Sequence, residues 1–512
     1  MKPRHLSIDH RPGITPGILQ VGVCAFAWLL LVAMAGNQAT AAQKTTSAGP
    51  WRYELLPDSR LIDDCPPCGR PTIPQPLRGT FDLRLLDENP LFSTYALENI
   101  SFTAGHIASR SYKISGSGTY TVGGEVALVQ DLSLAVHIDD GSAGRLCFLT
   151  NGSPQVGRLW PILQATVIQT NGTFTQVYHL DIFAAPLREL WFSTAHGMTP
   201  GIWDPPNRRI SGGDLLSSAG RVVKQDRELS CLLNLIPSPD PSELTLDALD
   251  VIPGGEIVFS LREDKVSGSL GPLQHGDLLS SQGRIVKRNR ELTAAFSQMP
   301  PAPDAGLDAV QVMADGEVYF SIQKDFFSEA LGRRVRNGDV LSSRGVVVKS
   351  QEELLSRFRP RDPKLDHGLD ALHVWPSGEV WFSVESGFQG PHFENYGHGD
   401  LLSDQGYVVA RNLDLVGPFQ PLEDLADFGL DGLFLVTDMA MSQPPPRFTR
   451  IRKSADTGIV ELRWEAKGRV FQLMRASDPA GPYQPVTEIL PDLFVGDTPP
   501  AGQHHFYQLR QW

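Results

Sequence analysis

The chain has 512 residues, with 45 Lys and Arg against 58 Asp and Glu and a formal net charge of −13. Hydrophobic residues make up 41 % and charged residues 20 %, enough to build several cores, and the length suggests about three domains at roughly 100–200 residues each. These values exclude collagen-like, coiled-coil and polytopic membrane chains, and they argue against a duplex-DNA binder, which needs a basic face to neutralise phosphates.

The first 42 residues stand apart. Lys2, Arg4 and Arg11 make a positive start, residues 18–35 are almost unbroken apolar sequence, and Ala39-Thr40-Ala41 fits a small-residue cleavage site. This three-part layout predicts a secretory signal peptide over 1–42. An uncleaved anchor helix is the alternative, because 18 mostly apolar residues just reach across a bilayer. Cleavage removes three basic residues and one acidic residue (Asp9), which takes the net charge from −13 to −15. The expected location is secreted, extracellular or at the cell surface, with no membrane span once the signal is cleaved.

Residues 43–77 read as a proline-rich linker that contains Cys65-Pro66-Pro67-Cys68. In an exported chain this pair predicts a local disulfide. A redox role would need a helix to lower a thiolate pKa, and none is evident. Zinc would need a second ligand pair, which the isolated Cys147 and Cys231 do not supply.

Residues 78–185 alternate polar and apolar positions, as in Thr80-Phe81-Asp82-Leu83-Arg84-Leu85. Turn dipeptides interrupt them at Gly123-Gly124, Asn151-Gly152 and Asn171-Gly172. Short strands with regular turn signals predict a β-sandwich.

Residues 186–438 carry a repeat. Leu246-Asp247-Ala248, Leu307-Asp308-Ala309, Leu369-Asp370-Ala371 and Leu430-Asp431-Gly432 recur about every 62 residues. A strand of the type Gly255-Glu256-Ile257-Val258-Phe259-Ser260 follows each of the first three. A second block recurs at Gly213-Asp214, Gly276-Asp277, Gly338-Asp339 and Gly399-Asp400, each leading into a short hairpin. One unit is therefore four strands and a short helix, as where Ser350 and Glu353 have capping-box spacing. The fold class is all-β: an N-terminal β-sandwich, a propeller-like array of four four-stranded repeats, and a C-terminal β-sandwich. A linear stack is the alternative arrangement. A degenerate fifth copy at Leu180-Asp181 either closes a ring or belongs to the preceding sandwich.

A linker at 439–447 leads to a last β segment at 448–512. There Phe471-Gln472-Leu473-Met474-Arg475-Ala476 runs into Gly481-Pro482-Tyr483. This segment resembles the small fibronectin-III-like modules near the C-termini of exported bacterial proteins. The repeat block resembles that of uncharacterised exported bacterial proteins. Neither resemblance implies an activity.

The repeated aspartates read two ways. They either accept backbone N–H bonds and hold turns, or ligate Ca²⁺, and their place beside strand starts and turns favours the turn role. The Gly-Glu glutamates read as structural too. No nucleophile elbow, zinc-protease motif, phosphate loop or dinucleotide fingerprint is present. No cofactor, no metal and no catalytic residue is expected. Function is expected where the units differ, in the segments between the Phe-Ser strand and Gly-Asp. Their candidate ligand-binding residues are Trp203, Phe326, Phe327, Phe388, Phe393 and Tyr396. The expected function is a non-catalytic exported binding or adhesion scaffold that recognises a glycan or an extracellular protein. The alternatives are a secreted polysaccharide hydrolase or lyase, and a cell-surface structural protein.

Overall fold

Alternating side chains between Trp51 and Ala185 build one antiparallel sheet around a single core. Its long strands are Gln75–Glu88, Phe92–Ala104, Tyr112–Gly123 and Val129–Asp139. The sheet closes on itself. Val177–Ala185 pairs with Leu163–Gln169 on one side and with Arg60–Asp64 and Trp51–Leu55 on the other, and both of these pair with Gln75–Glu88. The expected sandwich thus has its edges joined, which leaves no open strand along them. The structure is a computed structural model. It describes residues 50–512 except 70–71, 106–109, 126, 143, 202–208, 238–245, 300–303, 440–442, 455 and 501–503. The signal peptide expected at 1–42 lies outside the described residues.

The first two strands fall inside the segment read as a linker. Its prolines masked a period of two, in which Tyr53, Leu55 and Leu61 are buried. Tyr53 stacks on Phe81 at 5.3 Å, and Phe81 meets Phe102 edge-on at 6.0 Å. Between Arg60–Asp64 and Gln75–Glu88, Cys65 and Cys68 are joined through their sulfurs. The Leu180 copy of the repeat lies in Val177–Ala185 and belongs to this sheet.

The repeat forms four sheets of four strands each. The last repeat strand, Leu433–Val436, pairs with Glu189–Phe192, which continues through Leu215–Ser217 to Arg221–Lys224. The first blade is therefore built from both ends of the repeat region. The inner strands Leu246–Ile252, Val310–Val312, Leu372–Val374 and Leu433–Val436 touch one another in cyclic order. The array is a closed four-bladed ring, not a linear stack. Its apolar cores lie between adjacent blades, for example Phe296 against Phe320 and Phe326.

The second aspartate series holds the turns, as expected. Asp277 accepts from Gln274 N at 3.0 Å and from Asn289 N, at the start of the unit's helix, at 3.1 Å. Asp214, Asp339 and Asp400 make the same pair of bonds. At the helix that follows Asp339, Ser350 and Glu353 form the expected capping box. The Gly-Glu glutamates brace the second, third and fourth blades across strands: Glu379, for one, accepts from Ser403 Oγ at 2.6 Å and from Trp381 Nε1 at 3.0 Å, and Glu189 does the same in the first blade.

The C-terminal segment forms two three-stranded sheets over a core that includes Leu462, Trp464, Phe471 and Leu473. It docks on the second blade, where Gly254 N donates to Gly468 O at 2.8 Å. Gly255, at φ +76°, permits this contact: a Cβ there would lie 1.7 Å from Pro491 O. Asp438 ties the three parts together. It accepts from Arg52 N (2.7 Å) in the first sheet, Arg188 Nε (2.6 Å) in the ring and Trp512 Nε1 (2.6 Å) at the C-terminus. Among the described residues, no helix is long and apolar enough to cross a membrane.

Candidate functional site at the propeller axis

Strand register decides which loops share an end of the ring. Leu246, at the start of the second blade's inner strand, is opposite Leu261, at the end of the next strand. The segment after Leu261 therefore emerges at the Asp247 end. The equivalent segments of the other blades emerge there too. The connections that vary most between units thus surround one mouth, and the C-terminal module occupies the opposite end.

The first aspartate series lines this mouth. Small residues follow each Asp (Ala248, Ala309, Ala371, Gly432), so the inner strands approach closely. A Cβ on Gly432 would sit 2.8 Å from the Leu249 side chain. Serines of the second strands lock neighbouring blades together. Ser260, Ser321 and Ser383 donate through Oγ to Leu307 O (2.7 Å), Leu369 O (2.8 Å) and Leu430 O (2.7 Å) of the next blade. The carboxylates of Asp247, Asp308, Asp370 and Asp431 are thereby gathered around the axis.

This corrects the turn reading for the first series. These carboxylates meet other side chains. Arg262 bonds Asp431 and lies 3.5 Å from Asp247 Oδ1, and Gln323 Nε2 donates to Asp247. Asp308 lies within hydrogen-bonding reach of Glu385. Asp308 Oδ2 and Asp431 Oδ1 are buried and accept from no N–H or hydroxyl donor. Burial, with the charges of the neighbouring aspartates, pushes the Asp308 and Asp370 carboxyls well above the usual carboxylate range. Burial also raises Asp431 to about 7, although the Arg262 guanidinium pulls it down.

Arg262, Gln323 and Glu385 were not singled out in the sequence. A signal for them existed, since each stands third after the repeated Phe (Phe259, Phe320, Phe382), in a column where Ala195 follows Phe192. It is the point at which otherwise similar units change charge.

The opposite end of the axis is plugged. Asp250 accepts from Val312 N at 2.7 Å, and its Oδ1 lies 3.3 Å from Arg469 Nη1 of the C-terminal module. Arg469 Nη2 also donates to Val312 O at 2.6 Å. Beside them, burial and the Arg469 charge lower His373 to about 3, so its ring is neutral at physiological pH.

The described aromatic candidates, Phe326, Phe327, Phe388, Phe393 and Tyr396, fall on hairpins outside the mouth. These hairpins clasp adjacent units: Lys265–Ser267 pairs with Leu235–Ile236, and Phe326–Ser328 with Gln298–Met299. Phe326 is buried, with its ring 5.8 Å from that of Phe296. Phe388 is buried, 5.8 Å from Phe358 and 4.9 Å from Tyr396. Tyr396 is half-buried and packs on Phe358 at 4.9 Å. These three rings serve blade-to-blade packing and present little surface to a ligand. Phe327 is 47 % exposed, facing Met299 across the strand pair. Phe393 is 64 % exposed, and the Arg361 guanidinium stands 4.1 Å above its ring. The fold brings Phe388 and Tyr396 together but leaves Phe326 and Phe327 on a different hairpin. Trp203 lies outside the described residues. A groove of about 510 Å³ runs beside the second hairpin, lined by Asp264, Lys265, Arg288 and Arg290 among others.

No family model matches the chain, and no curated protein matches it. Among solved structures, it is similar to extracellular domains assigned to hybrid two-component systems of B. thetaiotaomicron. One is 10 % identical and aligns over 80 % of this chain and 74 % of that one, with a TM-score of 0.19. Another is 8 % identical over 87 % and 75 %, with a TM-score of 0.19. A third, assigned to a one-component system of the same organism, is 7 % identical over 90 % and 96 %, with a TM-score of 0.16. At these TM-scores the likeness carries no argument about this chain.

Proposed function

We propose that the protein is an exported, non-catalytic binding scaffold that recognises a glycan or an extracellular protein through the variable repeat-connecting hairpins around the mouth of the ring. The observation that carries this reading is a contrast between framework and rim. The blades repeat the same serines, aspartates and glutamates as structural braces. The connecting segments differ from unit to unit, emerge at one end, and expose Phe327 and Phe393 beside polar groups. Exposed aromatic rings, in the case of Phe393 with a guanidinium above it, suit recognition of sugars or of a protein hot spot.

The experiment is a screen of the mature chain against glycan and extracellular-protein arrays, followed by Phe327→Ala and Phe393→Ala. A ligand whose binding falls at least tenfold in either variant supports the reading. Binding unaffected by both contradicts it. The hydrolase alternative draws on one observation, the elevated carboxyls of Asp308 and Asp370 close to Glu385. It predicts turnover of a polysaccharide that Glu385→Gln abolishes.

A further inference from the structure

The axial ring is electrically uneven. Its carboxylates are Asp247, Asp308, Asp370, Asp431 and Glu385, and the cation among them is Arg262. Arg262 is spent between Asp247 and Asp431. On the other side, one oxygen each from Asp308, Asp370 and Glu385 lie within 4.8 Å of one another. Three carboxyl groups at that spacing cannot all carry charge unless a cation stands among them; without one they hold protons.

The spacing itself is informative. A Ca²⁺ ion holds oxygens at about 2.3–2.6 Å, so two ligands on opposite sides of it are roughly 5 Å apart. The donor set is all oxygen, which favours a hard cation over zinc or copper. An independent observation points the same way. Asp308 is 3 % exposed, its Oδ2 accepts from no N–H or hydroxyl donor, and its carboxyl instead meets those of Asp247 and Glu385. A buried carboxylate oxygen without a donor is costly, and a bound cation removes that cost. Glu385 is exposed, so the third ligand faces solvent and leaves room for ion access and bound water.

We infer that Asp308, Asp370 and Glu385 form a Ca²⁺ site at the propeller mouth, where the ion performs for one half of the ring what Arg262 performs for the other. The unit-to-unit change from Arg262 through Gln323 to Glu385 builds this asymmetry. The ion fixes two adjacent blades at the end from which the variable loops emerge. The site stands whether or not those loops bind a glycan or a protein.

The test is calcium titration of the chelator-treated mature chain by calorimetry, with Tm recorded in parallel. One Ca²⁺ per chain is expected, with a rise in Tm at millimolar calcium and weaker binding of Mg²⁺. Glu385→Gln changes an exposed side chain and should fold normally, with calcium affinity reduced at least tenfold. Asp308→Asn should show the same loss. Asp264→Asn, on the outer hairpin, should bind as the parent does. No calcium binding by the parent, or undiminished binding by Glu385→Gln, overturns the inference.

Discussion

Arg469 Nη1 lies 3.3 Å from Asp250 Oδ1, which joins the C-terminal module to the innermost strand of the second blade. Asp250 is fully enclosed, and burial raises its carboxyl while Arg469 pulls it down. Removing one member of such a pair leaves a buried charge without a counterion. Arg469→Met should therefore cost about 3 kcal/mol of stability at pH 7, measured by urea unfolding. The double variant Arg469→Met, Asp250→Asn should recover part of that loss. A cost below about 1 kcal/mol would show that the module does not seal the axis.

The turn aspartates predict a different kind of loss. Asp277 is buried and accepts two backbone N–H groups, and Arg288 Nη1 lies 2.6 Å from it. Hydrogen bonds to charged groups contribute about 1.5–3 kcal/mol each, so Asp277→Ala should destabilise the chain by at least about 2 kcal/mol. Hydrogen exchange should quicken first in Leu278–Ser280 and in the helix Asn289–Leu292. Uniform acceleration over all four blades would contradict a local role.

The Asp431 carboxyl predicts a pH dependence of unusual sign. Burial raises it to about 7 in the folded chain, against the ordinary 3.8 of an aspartate. Below pH 4 both folded and unfolded chains hold the proton, and the group contributes nothing. Between pH 4 and 7 the unfolded chain releases its proton while the folded chain keeps it, so stability falls as pH rises. In chelator, wild-type stability should fall relative to Asp431→Asn across this window and run parallel to it above pH 7. Parallel curves throughout would contradict the placement of Asp431 in a crowded acid ring.

Each unit's short helix ends on a non-glycine residue in the left-handed region: Asn234, Ser297, Arg359 and Gln420, at φ 48–50°. That conformation costs about 1 kcal/mol for a residue with a Cβ. Ser297 is exposed, so Ser297→Gly should raise stability by about 0.5–1 kcal/mol, read from the urea midpoint. A decrease would mean that the Ser297 side chain contributes something its exposed position does not suggest.

The repeat made the blades legible, because every unit spells the same strands and the same turn aspartates. Its ring closure was not legible. Leu180-Asp181 and Leu430-Asp431 look alike in sequence, and only pairing with Glu189–Phe192 separates a closing strand from one in the first sheet. The first two strands were hidden because proline counts describe a segment's average, while Tyr53 and Leu61 act by position. The aromatic candidates were chosen by residue type, and burial divides them: Phe326 and Phe388 pack between units, while Phe327 and Phe393 face outward. Among the acids, a recurring Asp reads the same whether it meets a backbone N–H or another carboxylate. The difference depends on which blade stands opposite, which is tertiary information.

Closure of the ring within one chain underlies the axial site and the grouping of loops at one mouth. The direct measurement is a cross-link between Leu190 and Leu435, which lie opposite one another in the closing pair. Leu190→Cys, Leu435→Cys protein is oxidised, separated by size and mapped by peptide mass. The account predicts an intrachain bridge between positions 190 and 435, formed in high yield in a monomer. Failure to form that bridge in folded protein, or its appearance only between two chains, would contradict a ring closed in cis.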